Sequence, residues 1–294
     1  VKRVGIICTG KMEFEGLARS LGRVFPAHFE AVAQLDSFTS AQVQLGAPLQ
    51  KAPLDPRQVP VDAREVKLAA ALVGAILGDK AQAPFDLILV LDDLETCNQH
   101  QIDVVTQRFG AAVRFVLERF DAEHGQATPD RVARLREDLR ARASFHLARP
   151  MAEAWFFGHP DTLTEAGASR MGEWPCQDDA ERFQVDDADY RRWPRYRSHV
   201  LGDQHPKDYL TFLCGAGGYR EVPRLHQRHQ SMPSGRAALE QVDWRALARR
   251  PGQFGLTRAM LHDIADALEV QDWPPAGLEP TARMAGGGTI LRNL

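Results

Sequence analysis

The run Leu87 to Glu95, LILVLDDLE, is an apolar stretch that ends in three carboxylates, Asp92, Asp93 and Glu95. The apolar residues between Asp86 and Asp92 read as a buried strand of a parallel sheet, and open α/β folds build their sites at the C-terminal edge of such strands. With Asp93 and Glu95 at i and i+2, these acids can converge on a divalent cation. Magnesium takes hard oxygen ligands, commonly one or two carboxylates together with water and substrate phosphate, so the spacing suits metal-assisted phosphoryl chemistry. The plain alternative is that the acids only end a strand and open a loop. A second acid, Glu13, follows the strand-like Val4 to Cys8, the turn Thr9-Gly10 and Lys11, which places it in the first turn of a helix at a sheet edge. It could face Asp92 and Asp93 there, or simply complement the positive end of its helix. A third, Glu153, opens MAEAWFFGHPD at Met151 to Asp161, on the border of a core formed by Trp155, Phe156 and Phe157. A carboxylate in that position needs a partner, for which a metal or an arginine such as Arg149 would serve.

The elements that must position these acids alternate between strand and helix. A helix is expected from Met12 to Phe25, because Phe14, Leu17, Leu21, Val24 and Phe25 share one face. Residues 41–60 are loop-like, since Pro48, Pro53, Pro56 and Pro60 recur too closely for regular structure. Asp62 reads as an N-cap with Glu65 three residues on, and Gly78 closes that helix. After the strand Leu87 to Leu91 come a helix-like stretch from Gln99 to Phe109, a further apolar run, Ala111 to Leu117, and a charged helix with Thr128 as cap and Pro129 at its first position. Gly167 to Gly218 is rich in Trp, Pro, Asp and Arg with little period, and is either an irregular excursion or a set of short elements. Helical periodicity returns at Ala237 to Ala248 and Leu256 to Leu268, before a glycine-rich tail at Gly286 to Gly288. The pattern implies an α/β fold with a mostly parallel sheet flanked by helices.

GIICTGKM at Gly5 to Met12 fits GxxxxGK, but Met12 stands where a phosphate-binding loop needs Ser or Thr, and Ile6, Ile7 and Cys8 belong to a strand. That motif is set aside. The 294 residues, 44% of them hydrophobic, are enough for a substantial core, and a net charge of -3 leaves any nucleic-acid contact to local patches. Cys8, Cys97, Cys176 and Cys214 show no CxxC or other short spacing, so neither a disulfide framework nor a cysteine zinc site is expected. With the longest apolar run, Leu68 to Leu77, about half of a membrane span, the expectation is a cytoplasmic protein that does not enter the membrane. Two basic patches offer guanidinium and aromatic surface to phosphates and bases. One is Arg191, Arg192, Arg195 and Arg197 with Trp193 and Tyr196; the other is Arg220, Arg224, Arg228 and Arg236 around His226 and His229. Each patch could equally pair with its neighbouring acids, Asp186, Asp187, Asp189 and Glu221.

Five segments carry a family resemblance: IICTGKMEFEGLARSL at Ile6 to Leu21, LVLDDLE at Leu89 to Glu95, EAWFFGHPD at Glu153 to Asp161, HPKDYL at His205 to Leu210 and GRAALEQVDWRAL at Gly235 to Leu247. Together they resemble the Toprim domain, and more closely a bacterial Toprim-like family of unknown function related to the OLD-family nucleases and often associated with AAA-type ATPases. The resemblance implies a Rossmann-like Toprim core over residues 1–165, followed over 166–294 by an irregular insert and a helical C-terminal region that packs either separately or as one unit with the core. It implies a Mg2+- or Mn2+-dependent nuclease or related phosphotransfer enzyme acting on DNA or RNA, in bacterial defence or repair. Glu13, Asp92, Asp93, Glu95 and Glu153 would be its metal acids. Glu13, Asp93 and Lys11 would be its catalytic groups, and Arg192, Arg195, Arg197, Arg224 and Arg228 its nucleic-acid contacts. The family pattern has EGxxE after the first strand, and here Thr9 stands at the first glutamate, so Thr9→Glu would restore the missing acid. The alternative is an interaction subunit that has lost cleavage and docks an ATPase or nucleic acid.

Overall fold

The structure of the protein is a computed structural model that describes residues 1–39, 63–78, 83–124, 129–170, 179–197, 202–223, 232–250, 252–271, 273 and 288–294. The expected loop over 41–60, the caps Asp62 and Thr128, and Cys176, Arg224, His226, Arg228 and His229 lie outside the described residues.

Four strands form one sheet: β1 (Arg3–Cys8), β2 (His28–Gln34), β3 (Leu87–Asp93) and β4 (Ala143–Ala148). Their order is β2-β1-β3-β4, and all three pairings are parallel. Parallel neighbours need helical crossovers that cover both faces, which is why the central strands read as unbroken apolar runs. Alternation along β3 sends Leu87, Leu89 and Leu91 to one face and Ile88 and Val90 to the other. The first face is covered by α1 (Lys11–Gly22), a 3₁₀ segment Ala152–Gly158 and the C-terminal helices. The second is covered by α2 (Arg64–Leu77), α3 (Ile102–His124) and α4 (Pro129–Arg142). Each fully buried Leu or Phe in these layers contributes roughly 2 kcal/mol.

Two expectations change here. The apolar run Ala111 to Leu117 is not a separate element, because α3 runs unbroken from Ile102 to His124. Its buried residues Val105, Phe109, Ala112, Val113 and Leu117 recur at helical spacing, and they pack against Phe145 and α2 rather than joining the sheet. The expected helix over Ala237 to Ala248 is two, α8 (Gly235–Gln241) and α9 (Trp244–Ala248), because Asp243 caps the second by accepting from the Ala246 amide at 2.9 Å.

The stretch after Gly167 resolves into short pieces, α6 (Ala188–Arg191) and α7 (Pro206–Leu213) with 3₁₀ turns, preceded by α5 (Pro160–Glu165) and followed at the end by α10 (Gly255–Ala267). These share one apolar layer with α1: Trp244 is fully buried, donates to Ser20 Oγ at 2.8 Å and meets Trp155 edge-on at 5.0 Å. Buried Glu181 joins the insert to α10 by accepting from the amides of Leu256 and Thr257, at 2.9 and 2.8 Å. No helix among the described residues is long and apolar enough to cross a membrane.

The strand order fixes where a site can form. From β1 the chain turns to β2 on one side, and β3 then pairs with the other side of β1, so the direction of winding reverses between β1 and β3. The crevice beyond the C-terminal ends of those two strands is the binding position of open α/β sheets. Thr9 follows β1 there, and Asp93 ends β3.

Candidate functional site

A cavity of about 410 Å³ occupies that crevice, and Glu13, Asp93, Glu95 and Glu153 all line it. They arrive from three directions: the first turn of α1, the end of β3 and the 3₁₀ segment after β4. Asp93 follows the alternation of Leu89 and Leu91 to the face covered by α1, which brings it to Glu13. One of its oxygens, Oδ1, accepts from the Ala152 amide at 3.0 Å, tying the segment that carries Glu153 to the end of β3.

Glu13 is held by Gly10. A Cβ at Gly10 would overlap the Glu13 carboxylate, so glycine lets that carboxylate fold back over the start of α1. Glu95 sits at φ 65°, ψ 155°, a region occupied almost only by glycine, while its amide donates to Pro150 O at 2.6 Å. The backbone is therefore strained at the residue that turns its carboxylate into the crevice.

Two residues not singled out from the sequence, Lys207 and Tyr219, complete the site together with Glu221, which was expected to pair with the arginine patch. Lys207 on α7 approaches Glu153 Oε1 at 3.9 Å and pairs more closely with Glu221. Tyr219 is hydrogen-bonded to Glu153 and reaches Met12 Sδ at 3.3 Å, in space that a Cβ at Gly235 would fill. The only signal for Lys207 was its place in HPKDYL, after a stretch without clear period. Lys11, exposed at the first position of α1, lines the cavity together with Thr9.

Asp92 does not join them. It points to the opposite face of the sheet, where it is buried and its Oδ1 accepts from the Thr9 hydroxyl and the Asp93 amide. A one-residue step along a strand reverses the side-chain direction, so Asp92 and Asp93 cannot both face the cavity. Thr9 is thus the hydrogen-bond donor to a buried acid. Burial raises Asp92 to about 6, against hydrogen bonds from Thr9, Ser37 and the amides of Asp93 and Phe38.

Burial, with the mutual repulsion of the acids, makes this crevice hostile to ionised carboxylates. Burial first and Glu153 second push Glu13 up to about 8. Burial, then Glu13, Glu95 and Glu153, hold Asp93 well above the usual carboxylate range, and burial with Asp92 and Glu153 raises Glu95 to about 7. Burial also raises Glu153, against the pull of Lys207. Burial pulls Lys207 down, but Glu153 and Glu221 outweigh it and the ammonium is held above its ordinary value. A pocket with this excess of buried carboxylate is relieved by any added cation, and its hard oxygen donors suit Mg2+ or Mn2+. Among the described residues, however, no three His, Cys, Asp or Glu side chains stand ready around one point to hold a metal ion. The contacts explain why: Asp92 faces away, Asp93 Oδ1 is taken by Ala152, and Lys207 and Tyr219 engage Glu153.

Arg191, Arg192 and Arg197 of the first patch and Arg236 of the second carry counter-ions. Arg197 makes a two-pronged pair with Asp208, at 2.8 Å for each hydrogen bond, and Arg192 pairs with Asp189 at 3.2 Å. Arg191 is shared between Asp186 and Asp203, while Arg195 lies 6.0 Å from the centroid of Trp193. Arg236 turns towards α1, 3.8 Å from Glu15. The described cysteines, Cys8, Cys97 and Cys214, are free thiols. No family model, curated protein or solved structure matches this chain.

Proposed function

We propose that the chain is a Mg2+- or Mn2+-dependent nuclease or related phosphotransfer enzyme with a Toprim-like core, working on nucleic acid in the crevice beyond β1 and β3. The observation that carries this reading is the meeting of Glu13, Asp93, Glu95 and Glu153, from three separate segments, in one cavity at the reversal point of the sheet. Asp93 and Glu95 would hold the ion, with Glu13 and Glu153 completing its surroundings. When bound, the ion supplies stabilisation of the charge that develops on a phosphate under attack. Lys11 at the mouth attracts the phosphate. Glu13, sharing its burial with Glu153, is suited to accept or release a proton at its carboxylate. In this reading cleavage of a nucleic-acid substrate requires added Mg2+ or Mn2+, and Asp93→Asn, which keeps the acceptor for the Ala152 amide, abolishes cleavage in a folded protein. Metal-independent cleavage, or full activity in Asp93→Asn, would remove it.

A second reading has its own support. Lys207 already neutralises part of the acid cluster, and Thr9 is committed to Asp92. Both fit an interaction subunit whose crevice no longer cleaves and which docks an AAA-type ATPase or nucleic acid. Lys207→Met separates the two readings: freeing the acids should strengthen Mn2+ binding in an enzyme site, whereas in a docking subunit it should leave the acids metal-free and weaken partner capture.

A further inference from the structure

A second cavity, of about 280 Å³, lies away from the acids at the outer edge of β4. β4 is an edge strand, and its odd residues turn their main-chain groups outwards: Ala143 O accepts from the Arg292 amide at 2.8 Å. At Phe145 the side-chain carboxamide of Asn293 takes the place of a neighbouring strand. The Phe145 amide donates to Asn293 Oδ1 at 3.1 Å, and Asn293 Nδ2 donates to Phe145 O at 2.7 Å. One rung further on, by the same alternation, Leu147 turns its N–H and C=O to the edge, and no described residue bonds either of them. Leu147 lines the cavity, with apolar walls from Ile102, Leu256 and Ala259.

His146 borders the same space. Its Nε2 meets Asp263 Oδ2 at 3.1 Å, and Asp263 also accepts from Arg292 Nε at 3.0 Å. Burial opposes the charge of Asp263, but His146, Ser144 and Arg292 outweigh it and hold the carboxyl down to about 2.

We propose that this cavity is a binding site for a planar ring with an adjacent donor and acceptor, the chemistry of a nucleobase or a ring carboxamide, paired with the main chain of Leu147 as Asn293 pairs with Phe145. The apolar walls take the faces of the ring. The site is separate from the acid crevice and stands or falls independently of the nuclease reading.

The test is the amide resonance of Leu147 in leucine-labelled protein titrated with uracil, adenine or nicotinamide, with 1,3-dimethyluracil as the probe that lacks a ring donor. Saturable movement with at least one of the first three, and binding about tenfold weaker or absent with dimethyluracil, is expected from the loss of one hydrogen bond in a desolvated site. Thr106→Phe, which fills the cavity from its half-exposed rim, and Ala259→Leu, which fills it from α10, should each abolish the shift while Mn2+ response at the acids is unchanged. No saturable movement with any probe, equal binding of dimethyluracil, or binding that survives both filled variants would overturn the proposal.

Discussion

Glu95 offers a way to separate backbone strain from charge stress at one residue. Its φ of 65° and ψ of 155° lie where non-glycine residues cost about 1–3 kcal/mol. Glycine would relieve that strain and lose roughly 0.5–1 kcal/mol to its greater freedom when unfolded, for a net gain of about 1 kcal/mol. The carboxylate adds a second burden. Burial, Asp92 and Glu153 raise it from 4.5 to about 7, which at about 1.4 kcal/mol per pH unit makes ionisation cost on the order of 3 kcal/mol of stability. Because the folded value lies above the unfolded one, the cost is absent below about pH 4.5, grows between there and about pH 7, and is complete above. Urea unfolding in EDTA should therefore show Glu95→Gln more stable than wild type by up to about 3 kcal/mol at alkaline pH and equal to it in acid. Glu95→Gly should exceed Glu95→Gln by about 1 kcal/mol at both pH values. Both variants should lose affinity for Mn2+. A glutamine variant with no alkaline gain would refute the charge stress, and a glycine variant less stable than glutamine at both pH values would refute the strain.

Gly10→Ala must displace the Glu13 carboxylate, so Mn2+ affinity should fall about tenfold or more by calorimetry while circular dichroism stays native. Lys207→Met leaves Glu153 and Glu221 without their cation, and because Lys207 is partly open to solvent, thermal unfolding in EDTA should show a loss of about 1 kcal/mol at neutral pH that is recovered in acid. Thr9→Glu removes the donor to buried Asp92 and sets a like charge beside it; we expect a loss of about 2–4 kcal/mol and no gain in cleavage, both measurable on one preparation. If nucleic acid contacts the arginine stretch, affinity should fall steeply with salt, and Arg192→Ala with Arg195→Ala should reduce the logarithmic salt slope by about 2; an unchanged slope removes that stretch from the interface.

The strands β1 and β3, the helix α1 and the acids at their ends were legible because buried parallel strands leave unbroken apolar runs and α1 keeps one apolar face. β2 and β4 were not, for opposite reasons. HFEAVAQ lies on a sheet edge and is largely half-exposed, so no apolar run marks it. ASFHLA is buried throughout, yet Ser144 and His146 interrupt its apolar pattern because they face Asp263 on α10. Without those strands the reversal between β1 and β3 could not be placed. The opposed directions of Asp92 and Asp93 follow from strand alternation alone, once β3 is known to extend through both. Lys207, Tyr219 and Glu221 reach the acids only through the folding of the C-terminal half onto α1, a long-range contact that no local period records.

The central claim is that the acids of the crevice bind a divalent cation, and isothermal titration of the full chain with Mn2+ near pH 8 tests it most directly. One saturable event with heats that depend on the buffer is predicted, because the raised carboxyls of Glu13 and Asp93 must release protons to bind the ion. Asp93→Asn should remove that event in a protein that remains folded. Absence of Mn2+ binding in the wild-type chain, alone and with an oligonucleotide, would contradict the account.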